Sequence, residues 1–166
     1  MENLIALLAT SLVLRAANSR FRRYVICPGC SALLHPAAKR LHVRRTKDGD
    51  RLLFNEHKIG TVKYGMICVQ LNKVYSLEKS EEILVNFINR CRKPLQIECN
   101  QSMEIEQGAG QLCLTDYWQD KDGIDWKIKG STNGKIISLL YVRNITDTTV
   151  TSHDAFLNGF RFSPVQ

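Results

Sequence analysis

No stretch of this 166-residue chain holds the about 20 consecutive apolar residues that a bilayer core requires. The longest apolar run, residues 3–14 (NLIALLATSLVL), is interrupted by Arg15. Acidic side chains are nearly missing from residues 1–47, where Glu2 alone stands against Arg15, Arg20, Arg22, Arg23, Lys39, Arg40, Arg44, Arg45 and Lys47. Aromatic residues are equally scarce there, since only Phe21 and Tyr24 precede Phe54. The main core therefore belongs to the later part of the chain. Catalytic signatures are lacking as well: there is no Gly-x-Ser-x-Gly and no Gly-rich phosphate turn after a strand. The acidic run Asp120–Asp125 lacks the spacing and closing Glu of a calcium loop, and His153-Asp154 is an isolated pair. These absences argue against an enzyme.

What is present is a folded composition, 44% hydrophobic and 23% charged, with six cysteines and a formal net charge of +7. The whole basic excess sits in residues 1–47, and the chain divides there: an apolar helix plus a basic Cys/His segment (1–47), then a β-rich domain (48–166). The Leu/Ala content of residues 3–14 favours helix. Three readings of it stand: a helix packed on the protein or a partner, a membrane anchor over residues 3–17 if Arg15 snorkels, or a targeting peptide.

FRRYVI (21–26) reads as a strand, and residues 31–45 as weakly helical apart from Pro36. Short strands are expected at 51–54, 59–63 and 66–71. A helix is expected near 80–93, with Ser80 as cap, Glu81 and Glu82 in its first turn, Arg90, Arg92 and Lys93 in its last, and Pro94 as its stop. Period-two segments follow at 95–99, 103–106, 111–118, 124–129, 135–143 and 155–162, separated by turn chemistry such as Asp122-Gly123 and Asn133-Gly134. Strand 124–129 points Ile124, Trp126 and Ile128 one way and Lys127 and Lys129 the other, while 135–143 is apolar on both faces and should be central. The expected class is α+β: an N-terminal apolar helix, then a mainly antiparallel sheet or small barrel with one packed helix.

Cys27-Pro28-Gly29-Cys30 is the sharpest local motif. Its turn can bring two thiolates onto one Zn²⁺, with His35 and His42 completing the ligand set. A second reading is a redox pair, and a third is incidental thiols or a local disulfide. No second C-x-x-C supports a zinc ribbon. No cofactor is expected apart from zinc at these four side chains. Cys68, Cys91, Cys99 and Cys113 are either small buried hydrophobes or, in an oxidising compartment, two disulfides. Arg20, Arg22, Arg23, Arg44 and Arg45 form a candidate basic surface for phosphate groups of nucleic acid or membrane lipid.

The apolar N-terminal segment, the β-rich remainder and the late Trp126 strand together resemble the small single-pass accessory proteins of membrane-anchored transcription activators, of the ToxS, MyfF and PsaF kind. That resemblance implies a non-enzymatic, membrane-associated accessory or sensor protein whose β-rich domain lies outside the inner membrane. It also implies a partner regulatory protein, stabilised in response to a signal such as pH or a ligand; the small barrel expected above would hold an apolar small ligand. The arginines after the apolar run oppose that topology under the positive-inside rule. The competing expectation is a soluble zinc-assisted nucleic-acid-binding protein that uses residues 15–47, cytoplasmic or organelle-targeted.

Overall fold

The computed structural model describes residues 20–147 and 152–164. Ten strands form two antiparallel sheets. The larger has seven strands in the order β3 (His42–Arg45), β4 (Arg51–Ile59), β5 (Val62–Gln70), β9 (Ile136–Arg143), β8 (Asp125–Thr132), β7 (Gln111–Asp120) and β6 (Ile97–Gly108). The smaller has three, in the order β1 (Arg22–Cys27), β2 (Cys30–Leu34) and β10 (Arg161–Phe162). One long helix, α1 (Leu77–Arg92), connects β5 to β6, and a short one, α2 (His153–Leu157), precedes β10.

The large sheet is the middle of three layers because its central strand is apolar on both faces. From β9, Ile136, Leu140 and Val142 pack with the small sheet and α2, while Ile137, Leu139 and Tyr141 pack on the side of α1. Adjacent side chains of a strand alternate between faces, so a continuous apolar strand needs cover on both. The expectation of a central buried strand at 135–143 therefore holds.

Helix α1 forms where an amphipathic pattern meets proper ends. The Ser76 side chain accepts from the Lys79 N–H, Glu78 lies in the first turn, and Arg90 and Arg92 lie in the last. Leu84, Ile88 and Cys91 repeat at helical spacing and are buried. They seat on β7 and β8, where Gly130 makes room: a Cβ there would lie 2.6 Å from the Ile88 Cδ1. The cap is Ser76 rather than Ser80, whose buried hydroxyl donates to the Ser76 carbonyl from inside the first turn.

Several expectations are corrected. The described fold opens on strand β1, and no apolar N-terminal helix belongs to it; residues 3–17 lie outside the described residues. The large sheet is open, with β3 and β6 as its edges, and is not a barrel. The weakly helical 31–45 stretch is strand β2, a 3-10 turn at Pro36–Ala38, and strand β3. Alternate burial of Cys30, Ala32 and Leu34 against the large sheet outweighs the helix propensity of Ala and Leu. Residues 155–162 are not one strand, because Phe156 and Leu157, neighbours in sequence, are both buried in the turn of α2. The turn at residues 46–50 joins β3 to β4, which pair with each other. Among the described residues no helix is long and apolar enough to cross a membrane.

Candidate functional site

Helix α1 lies over β7 and β8 and leaves part of β4 and β5 open. On that uncovered part of the same face, register pairs Leu52 with Val69, Phe54 with Ile67, and Glu56 with Gly65. Leu52, Phe54 and Ile67 consequently stay half-exposed in a sheet whose other apolar residues are mostly covered. Cys91, Pro94 and Leu95 at the end of α1 form one wall, and Arg44 from β3 forms the opposite rim. The groove is open to solvent and measures about 390 Å³. This falls in the range of small-molecule sites, roughly 300–1,000 Å³.

The groove floor is built by a single close approach. Tyr141 lies across Gly65, and a Cβ on Gly65 would sit 1.9 Å from the ring carbon that bears the hydroxyl. The Tyr141 hydroxyl donates to the Glu56 Oε2 at 2.7 Å, and the Lys63 Nζ lies 3.1 Å from the Glu56 Oε1. Burial raises the Tyr141 hydroxyl well above the ordinary phenol range, and its bond to Glu56 adds to the rise. At the rim, the Arg44 guanidinium lies 5.6 Å over the Phe54 ring, and His42 stacks on the same ring at 5.2 Å.

A second, polar depression of about 420 Å³ adjoins the groove and shares Glu56, Pro94 and Leu95 with it. Its ionic groups serve one another. Asp120 accepts from the Trp126 indole at 2.9 Å, from the Arg143 Nε at 2.7 Å, and from the backbone N–H groups of Asp122 and Ile124. A parallel arrangement under α1 has the Trp118 indole donating to the fully buried Asp116 at 2.6 Å, with the Arg92 Nη2 at 3.3 Å.

The residues singled out in the sequence are distributed as follows. Cys27 and Cys30 face each other at the tip of the β1–β2 hairpin, their sulfurs 3.2 Å apart. The Pro28-Gly29 turn between them has Gly29 at φ +99°, a conformation that favours glycine. The third sulfur near them is that of Cys68 on β5, 3.9 Å from Cys30. His35 and His42 do not join this group. His35 stacks on His57 at 4.1 Å while its Nδ1 accepts from the Ala37 N–H, and His42 lies on the opposite face of the large sheet against Phe54. All six cysteines are free thiols. Cys91 is buried on the inner face of α1, Cys99 is exposed on β6, and the Cys113 sulfur accepts from the Ser131 hydroxyl at 3.4 Å. The arginines are split between sheets: Arg22 and Arg23 lie on β1 of the small one with Arg20 just before it, whereas Arg44 and Arg45 lie on the edge of the large one. Arg23 is tied to the Ser31 hydroxyl and the Gly159 carbonyl.

Sequence reasoning missed the groove and the place of Cys68. Leu52 and Phe54 do share one face of a strand, but that their face outruns the helix depends on where α1 settles. Neither family models nor curated proteins give a match to the chain.

Proposed function

We propose that the protein is a non-enzymatic accessory or sensor protein whose β-rich domain binds an apolar small molecule in the groove beside α1 and signals its presence to a partner regulatory protein. The observation that carries this reading is the groove itself, which leaves Leu52, Phe54 and Ile67 half-exposed while Arg44 and Glu56 supply a few polar groups at its margin. An apolar lining with a few placed polar groups is the ordinary make-up of a ligand site. The non-enzymatic part is supported by the carboxylates nearby: Glu56 is engaged by Tyr141 and Lys63, and Asp120 by four donors. Groups so occupied act as fixed acceptors, poorly placed to shuttle protons. The partner and membrane elements of the reading rest on the sequence resemblance alone.

Binding of the uncharged fluorophore N-phenyl-naphthylamine tests the proposal. Saturable binding of about one molecule per chain is expected, weakened at least about tenfold by Ile67→Trp, which fills the groove with an aromatic ring. Undiminished binding in a folded Ile67→Trp variant, or no saturable binding to the wild type, would overturn it.

A further inference from the structure

The hairpin tip carries a second site, independent of the groove and on the opposite face of the large sheet. Cys27, Cys30 and Cys68 are all buried, and their three sulfurs lie within 4.8 Å of one another. They come from two separate layers: Cys27 and Cys30 from the small sheet, Cys68 from the middle of β5. Trigonal coordination by three thiolates, with metal–sulfur bonds of about 2.3 Å, spaces the sulfurs about 4 Å apart. The Cys30–Cys68 separation of 3.9 Å already has that value, and the Cys27–Cys30 separation of 3.2 Å needs only a small opening of the hairpin tip.

We propose that Cys27, Cys30 and Cys68 are the three ligands of one soft, thiophilic metal ion of the Cu(I) class. Among the described residues no His, Asp or Glu joins the group. Zinc in a structural site takes four protein ligands, whereas an all-thiolate set of three suits a soft monovalent d¹⁰ ion. Charge agrees. Arg51 and Lys135 favour negative charge on Cys27, the sign that three thiolates leave on a monovalent ion. On binding, each S–H gives its proton to solvent, each sulfur donates a lone pair, and no electron changes hands. The exposed Pro28-Gly29 turn, beside Lys135 and Ser163, is the route of entry.

The test uses the full chain, reduced and anaerobic, in a Cys99→Ser, Cys113→Ser background that removes the two thiols that are not buried. Cu(I) is supplied in competition with bicinchoninate. One ion per chain is expected, with a near-ultraviolet sulfur-to-metal band. Cys68→Ala should lower the affinity by more than the about 100-fold that loss of an outer-shell partner costs, and the double variant His35→Ala, His42→Ala should leave it unchanged. Should Cys68→Ala fail to fold, X-ray absorption on the background protein decides by counting three sulfurs around the ion. Failure to bind, loss of binding in the histidine variant, a folded Cys68→Ala that still binds, or a count of two sulfurs would overturn the site. The last two results would leave Cys27 and Cys30 as a simple thiol pair.

Discussion

Trp126 donates its indole N–H to Asp120 in the core under α1, while Lys127, one residue on, turns to the other face and meets the Asp154 carboxylate at 2.9 Å. That alternation was legible in the sequence, because a charged residue between two apolar ones fixes which face is buried. Trp126→Ala is expected to cost about 3–5 kcal/mol in a denaturant melt, and Lys127→Ala at most about 1 kcal/mol, since its ion pair is partly solvated. What could not be read was that two carboxylates would enter the buried face, Asp116 beside Trp118 and Asp120 beside Trp126. Their titrations have opposite signs. Burial pushes the Asp120 carboxyl up, but the Trp126, Arg143, Ile124 and Asp122 N–H groups outweigh it and hold it below the ordinary range. Asp120 therefore contributes stability above its unfolded pKa that is lost as the pH falls through the lower folded value. At Asp116 burial prevails over Trp118, Tyr117 and Arg92, so its carboxyl is raised. Its contribution is fully present below the unfolded value and lost as the pH rises through the raised one. Melts from about pH 7 down to about pH 3 should show the advantage of the wild type over Asp120→Asn shrinking, and its stability relative to Asp116→Asn rising.

At the scale of elements, helix α1 was readable within a few residues, because its dipole-matched ends and the stop at Pro94 are local features. Its start was not, since Ser76 and Ser80 are both plausible caps and only the Lys79 N–H contact separates them. Ser76→Ala should lower stability by about 1 kcal/mol, as loss of an N-cap does; thermal melts check this. Strand β2 and the α2–β10 segment were misread for a related reason. Each is short, and its conformation is set by packing on its neighbours: Cys30, Ala32 and Leu34 face the large sheet, Phe156 and Leu157 join the same core, and Gly159 lies against Leu33 of β2, where a Cβ would come within 2.7 Å. Local propensity loses to such packing. Gly65 marks the same dependence in β5. Gly65→Ala would drive a methyl group into the Tyr141 ring and should cost about 1–3 kcal/mol or more, the range of overpacked cores, while also weakening fluorophore binding by disturbing the groove floor.

For the whole molecule, the order of the seven strands places α1 over β7 and β8 and leaves β4 and β5 partly bare, and that asymmetry creates the groove. Strand order joins β5 to β9 across 65 intervening residues, from residue 71 to residue 135, so no local pattern announces it. The thiol triad is hidden for the same reason, as Cys68 meets Cys27 and Cys30 only when the two sheets stack. The most direct test of ligand binding in the groove is a titration of the ¹⁵N-labelled protein with N-phenyl-naphthylamine, followed by amide chemical shifts. Shifts are expected to concentrate in β4, β5 and residues 93–96, leaving the β1–β2 hairpin and the β6–β7 edge unmoved. Shifts that instead cluster on the small sheet, or scatter over the molecule without saturating, would contradict the account.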